Sequence, residues 1–104
     1  MTNAISVDHG SEATVIVIHG KFSFDMHQQF RATYQGDLYG STKDKRFVID
    51  LAGVDYIDSS ALGMLLLMRK ESGDDKTDIR IINARPTVRK ILEITNFQKI
   101  FEIT

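Results

Sequence analysis

Two adjacent serines behind an acid, Asp58-Ser59-Ser60, open a run of apolar helix formers, Ala61-Leu62-Gly63-Met64-Leu65-Leu66-Leu67-Met68. Residues of these types at a helix start support two kinds of chemistry. A serine there can accept a hydrogen bond from an unpaired first-turn amide, a structural role that contributes roughly 1 kcal/mol. The same helix start presents free amides and the positive end of the helix dipole to an anion, so a serine placed there can also take and hold a phosphate. The sequence alone leaves both roles open. The leucines and methionines that follow project around nearly the whole helix, and one side cannot face a sheet if the other does. A Leu and Met stripe is more often plain core, yet an apolar helix beside a modifiable hydroxyl is also the composition of a docking surface.

Other constellations carry less. His9, His19 and His27 lack metal-ligand spacing, and there are no cysteines to complete a sulfur-based site. Asp50, Asp55 and Asp58 read as solvated loop carboxylates, without a Gly-rich phosphate loop beside them. Ser59 lacks the Gly-x-Ser-x-Gly turn of a hydrolase nucleophile, and no histidine is placed as its base. Arg85, Arg89 and Lys90 read as a solvated basic start to a helix. The expectation is therefore no catalytic residue, no metal and no cofactor: a protein that binds and is not an enzyme.

The elements that position the serines follow from periodicity. Ala4 to His9 partly alternates, Gly10-Ser11 turns the chain, and Thr14 to Ile18 is β-branched almost throughout, which predicts a hairpin. Its second strand is apolar on both faces, so cover on two sides is expected, with Gly20 ending the strand. Asp25 with Gln28 three residues later resembles a helix cap and its reciprocal partner. Met26, Phe30, Tyr34 and Leu38 then recur at helical spacing. Gly40 to Lys45 reads as a loop, Arg46 to Leu51 as a strand, and the second helix starts near Asp58 or Ser59. A turn at Gly73-Asp74 leads to the strand Ile79 to Ile82. Pro86 opens a third helix with Val88, Ile91, Leu92 and Thr95 on one face, and Asn96 stops it in a left-handed conformation. Ile100 to Ile103 alternates as an edge strand. Helices alternating with strands favour parallel pairing through right-handed crossovers, an α/β architecture.

Composition sets the outer limits. The 104 residues, 42% hydrophobic and 26% charged, are one domain's worth of globular chain, residues 1–104. Thirteen Lys and Arg against fourteen Asp and Glu leave a formal charge of −1, without the positive balance that nucleic acid demands. Met1 to Gly10 has no basic cluster ahead of an apolar core, and Ala61 to Met68 is far short of the roughly 20 residues of a spanning helix. No membrane association and a soluble, cytoplasmic, reducing setting are expected.

Asp58-Ser59-Ser60-Ala61-Leu62-Gly63, placed after the strand Phe47-Val48-Ile49-Asp50-Leu51, resembles the signature of STAS domains of bacterial anti-sigma factor antagonists. Pro86-Thr87-Val88-Arg89-Lys90-Ile91-Leu92-Glu93-Ile94-Thr95 is similar to that family's Pro-x-Val-x-x-x-Leu-x-x-Thr helix, and Gly20 closes the second strand as in the family. Three places depart from the pattern. Ala61 stands for a usual Gly, Thr95-Asn96-Phe97 stands for a common Thr-Gly-Leu, and many members carry a final helix beyond the position of Thr104.

The resemblance implies a STAS-like mixed sheet of four to five strands with three or four helices packed mainly on one side. It implies Ser59 as phosphoacceptor, with Ser60 in reserve. It also implies a partner surface on the second helix and the loop after Gly20, comprising Ser23, Asp58, Ser60, Leu62, Gly63, Met64 and Leu67. In such proteins the unmodified form binds an anti-sigma factor that is also a serine kinase, freeing a sigma factor, and a PP2C-type phosphatase resets the switch. The run Asp58 to Met64 is also similar to small regulators of motility and biofilm formation. Two rivals are a constitutive STAS scaffold subunit, of a lipid transporter or a larger signalling assembly, and a nucleotide-binding module.

Overall fold

Thr14, Ile16, Ile18, Gly20 and Phe22 are buried at every second position of one strand, whereas Val15 and Val17 between them are half-buried and His19 is exposed. That alternation sets a one-sided sheet. The computed structural model describes residues 3–38, 46–74 and 78–104. Its strands are β1 (Ala4–His9), β2 (Ala13–Phe22), β3 (Arg46–Ile57), β4 (Ile79–Ile82) and β5 (Glu102–Ile103). Its helices are α1 (His27–Leu38), α2 (Ser59–Glu71) and α3 (Pro86–Ile94), with short 3-10 turns at Phe24–Met26 and Phe97–Lys99. The strands lie in the order β1-β2-β3-β4-β5. β1 is antiparallel to β2 and every other neighbouring pair is parallel, as the α/β order requires.

All three helices pack on one face of the sheet. Phe30 and Tyr34 of α1, Ala61, Leu65 and Met68 of α2, and Val88 and Leu92 of α3 join Ile16, Ile18, Ile49, Leu51 and Ile81 in a single core. Phe22, Phe30, Tyr34 and Phe47 form a chain of tilted and edge-on rings through it, at centroid distances of 5.2, 5.7 and 6.4 Å. The two-sided cover expected for β2 is therefore corrected. Val15, Val17 and Val48 are only half-buried, because the crossovers share one hand and leave the opposite face open.

Several boundaries also differ from the sequence reading. β2 continues past Gly20, whose φ of 84° is accessible to glycine at no cost, and ends at Phe22. Asp25 does not cap α1: it lies within the 3-10 turn that leads into the helix, and Ser23 holds the cap position without a side-chain bond. Ile91 is 36% exposed and does not share the buried face of Val88 and Leu92. The edge strand near the end has two residues, Phe101 being buried just before it. Pro86 at the start of α3, the left-handed Asn96 at φ 63° and the turn at Gly73-Asp74 are found as expected. The loop over Gly40 to Lys45 lies outside the described residues.

β3 is the longest departure, since it runs on to Ile57. The added residues make two bulges: Val17 pairs with Asp50 but His19 with Gly53, and Gly20 pairs with Val54 but Lys21 with Tyr56. Each bulge inserts one residue and resets the pleat. Leu51, Val54 and Ile57, spaced by threes and not twos, consequently all point into the core. Asp50 is a structural residue here and not a free loop acid. Its Oδ1 accepts from the Ala52 amide at 2.9 Å and from Asn83 Nδ2 at 3.3 Å, and Arg85 Nε donates to the Ala52 carbonyl at 2.9 Å.

Candidate functional site

The β2–β3 ladder closes on the pair Phe22 and Ile57, so the chain leaves both strands at the same edge of the sheet. Ser23 follows one strand and Asp58 the other, which brings the two separately predicted parts of the partner surface to neighbouring strand ends. Both side chains are half-buried.

At the start of α2 the roles of acid and serine separate. Asp58 has extended backbone, φ −118° and ψ −179°, and its Oδ1 accepts from the Ala61 amide at 2.9 Å. Its carbonyl accepts the first helical bond, from the Leu62 amide at 3.3 Å. Asp58 is thus the N-cap, and the capping role considered for a serine is corrected. Ser59 is the first helical residue and is exposed; among the described residues its hydroxyl has no hydrogen-bond partner. Ser60, half-buried, is the second. The amides of these two positions have no intrahelical acceptor.

Down the helix, exposure follows the helical repeat. Ser59, Gly63, Leu66, Leu67 and Lys70 are exposed and fall within roughly 100° of one another at about 100° per residue, with Ala61, Leu65 and Met68 buried opposite. Leu66 and Leu67 leave 43% and 44% of their surface in water. Leu62 and Met64 flank this stripe and rest partly on the core. Gly63 lies on it with no neighbouring atom within 4 Å of where a Cβ would be, so the fold itself does not require glycine there. Of the residues expected at a partner surface, Gly63 and Leu67 lie on this exposed stripe and Asp58, Ser60, Leu62 and Met64 lie at its margins.

Three residues were missed. Leu66 belongs to the exposed stripe as fully as Leu67, and the helical phase from Ser59 would have found it. Phe24, 61% exposed, follows Ser23 and stacks on His27 at 4.6 Å; an aromatic in a loop between Ser23 and Asp25 was its signal. Tyr56, 49% exposed beside the exposed Asp55, is turned outward by the second bulge, which no local pattern announces.

The far end of α2 is tied to α1. Glu71 accepts from Arg31 at 2.7 Å and from the Tyr34 hydroxyl at 2.8 Å. The Arg31 bond, then the Tyr34 bond, hold the Glu71 carboxyl below the usual carboxylate range. Burial, reinforced by Glu71, pushes the Tyr34 phenol well above its ordinary range. The histidines remain apart: His9 contacts Asp37 at 3.1 Å, His19 lies over Gly53, and His27 contacts the Phe24 carbonyl at 3.2 Å. Among the described residues, no group of three or more His, Cys, Asp and Glu is placed to hold a metal ion, and no helix is long and apolar enough to cross a membrane.

The sequence profile of the family described as "Mlab, STAS domain" matches residues 5–102. The chain belongs to the STAS domain family. A STAS-domain containing protein of Pseudomonas aeruginosa is 45% identical to this STAS domain over 95 residues, 91% of this chain and 90% of that protein. The anti-sigma factor antagonist SpoIIAA in its unphosphorylated form superposes with a TM-score of 0.74 at 20% identity, over 97% of this chain and 87% of that one. The Bacillus cell fate determinant SpoIIAA in the phosphorylated form superposes with a TM-score of 0.72 at 18% identity, over 97% and 91%. The five-stranded mixed sheet with three helices is thus the fold of anti-sigma factor antagonists.

Proposed function

We propose that this STAS domain is a phosphorylation-switched anti-sigma factor antagonist. Unmodified, it docks on an anti-sigma factor that is also a serine kinase, through the α2 stripe and the Ser23–Phe24 loop, and so frees a sigma factor in the cytoplasm. It acts by binding and not by catalysis. The kinase transfers the γ-phosphoryl group of ATP to Ser59 Oγ, the serine proton is released and ADP departs. A PP2C-type phosphatase hydrolyses the ester and restores the hydroxyl. The likeness of Asp58 to Met64 to small regulators of motility and biofilm formation points the output toward those genes.

One observation carries this reading: Ser59 is exposed and relieved of the cap by Asp58, at the head of an exposed stripe formed by Gly63, Leu66 and Leu67. A phosphate there adds about −1.5 to −2 charge, against a formal charge of −1 for the whole chain. The helix dipole favours that anion by about 0.3–1 kcal/mol, so the domain keeps its shape. That both SpoIIAA forms share this fold supports the point. The partner bears the cost. It must desolvate a dianion next to Asp55 and Asp58, and every 1.4 kcal/mol of that penalty weakens binding about tenfold.

The test uses the cognate kinase and ATP with intact-mass detection. One added phosphoryl group in wild type and Ser60→Ala, absent in Ser59→Ala, is expected. Binding to the kinase should survive in Ser59→Ala and weaken at least tenfold in Ser59→Asp. A scaffold subunit would bind its partner equally in all three forms and gain no mass. A nucleotide-binding module would titrate with nucleotide in the absence of any kinase.

A further inference from the structure

The two edges of the sheet are unequal. β5 has two residues, and its Glu102 pairs with Arg80 of β4 at 3.1 Å, the short and charged kind of edge that does not recruit strands. β1 has six residues, pairs only with β2 among the described residues, and carries no Pro, no Lys and no bulge. All of it is exposed save Ile5, which is half-buried, and Val7 leaves 38% of its surface in water. A strand with an unpaired row of N–H and C=O groups and an alternating apolar set is a template for strand addition.

We infer that β1 pairs antiparallel with β1 of a second copy, joining two sheets edge to edge. The occupant and the register follow from the pleat. Ile5 and Val7 face the helix side, opposite Ile18 and Ile16 of β2, whereas Ala4, Ser6 and Asp8 face the open side, opposite His19, Val17 and Val15. Residues opposite one another across a new ladder must share a face, so a twofold axis has to pass through a residue and not between two. Placed at Ser6, the axis sets Ile5 against Val7 of the second copy on the helix side and Ala4 against Asp8 on the open side. Apolar meets apolar, no like charges oppose, and the exposed Val7 is covered. Placed at Val7, it keeps a single apolar pair, Val7 against Val7, and sets Ile5 against His9 on the helix side and Ser6 against Asp8 on the open side. The Ser6 register is the one that pairs both apolar residues of each strand, Ile5 and Val7, with apolar residues of the other. A single six-residue ladder buries less than the roughly 1,200 Å² of a stable interface, so the dimer is weak and dependent on concentration. It leaves the α2 stripe of each copy uncovered.

Ser6 lies on the axis, where two Cα atoms would be about 4.5–5.5 Å apart, within disulfide reach. The chain has no cysteine, so Ser6→Cys is a single-thiol probe of that geometry. Sedimentation equilibrium of the wild-type chain should show a reversible monomer–dimer equilibrium. Ser6→Lys, which sets two like charges face to face at an exposed position, should weaken dimerisation at least tenfold with an unchanged circular dichroism spectrum. With oxidised glutathione as oxidant, Ser6→Cys should cross-link at least tenfold faster than Ala4→Cys or Asp8→Cys. The inference is overturned if the wild type stays monomeric to millimolar concentration, as it would were β1 reserved for a strand of another protein. It is equally overturned if Ser6→Lys dimerises like wild type or if the three thiols cross-link at equal rates. Phosphorylation of Ser59 is expected to be unaffected by Ser6→Lys, so this test stands apart from that of the switch.

Discussion

Asp58 Oδ1 and the Ala61 amide are joined at 2.9 Å, and the hydroxyl between them in sequence, that of Ser59, takes no part in the bond. On the proposed function, capping and signalling therefore fall to adjacent residues. Asp58→Ala should lower the unfolding free energy by about 0.5–2 kcal/mol, the usual cost of a lost N-cap. Asp58→Asn should retain most of it, and Ser59→Ala should change it by less than about 0.5 kcal/mol. Urea denaturation of the three variants checks the assignment, and equal losses in Asp58→Ala and Ser59→Ala would return the cap to the serine.

Gly63 is a second place where the fold and the proposed docking surface part. A glycine inside a helix costs about 1 kcal/mol relative to alanine, and its Cβ position is empty. Gly63→Ala is expected to raise stability by about 0.5–1 kcal/mol while weakening binding to the kinase, because a methyl group then stands on the stripe between Ser59 and Leu66. Thermal unfolding and titration calorimetry should move in opposite directions.

The stripe can be tested without touching the serine. Leu67→Lys exchanges an apolar side chain, 44% exposed, for a charged one that can stay in water. Its folding free energy should change by less than about 0.5 kcal/mol. Affinity for the unmodified-state partner should fall at least tenfold, read by surface plasmon resonance.

Stability against pH should form a plateau with two shoulders. The folded state holds the Glu71 carboxyl below the usual range, chiefly through Arg31, and Asp78 likewise, chiefly through Arg46. The unfolded chain then binds more protons in acid, so this contribution is complete above about pH 5 and is lost as pH falls through the folded values. Tyr34 runs the other way. Its raised phenol contributes fully below about pH 10 and loses that contribution as pH rises further, because the unfolded chain ionises first. Glu71→Gln should flatten the acid shoulder and Tyr34→Phe the alkaline one, followed by chemical denaturation across pH.

The first bulge of β3 offers a paired test. A Cβ on Gly53 would collide with the His19 ring, the far end of a side chain that can swing away. Gly53→Ala should destabilise by about 1–3 kcal/mol, and adding His19→Ala should recover part of that loss, the signature of coupled neighbours.

Much of this was legible in the sequence because it is local. The β-branched run around Ile16, the Pro86 start of α3 and the left-handed Asn96 are each decided by their own few residues. What was hidden depends on neighbours. One face of β2 is half-open because the helices after β2, β3 and β4 all cross over the other face, and β2 alone cannot reveal that. β3 runs to Ile57 because two bulges restore the core-facing phase of Val54 and Ile57, and a strict period of two stops at Leu51. Serine and aspartate are equally good caps on paper; only the geometry at Ala61 chooses between them. The exposed Ser59 and Leu67 lie in one run that the sequence already marks as a helix, whereas Phe24 and Tyr56 reach the surface through a turn and a bulge set by pairing between strands.

α2 is held along its length, by Ala61, Leu65 and Met68 at no more than 1% exposure and by Glu71 gripped from α1. On the proposed function, a helix fastened in this way is expected to keep its arrangement when Ser59 is phosphorylated. The delay between stimulus and response in such a switch would belong to the enzymes that write and erase the mark, with no relaxation lag from the domain. Once such a mark were removed, the domain would carry no memory of having borne it.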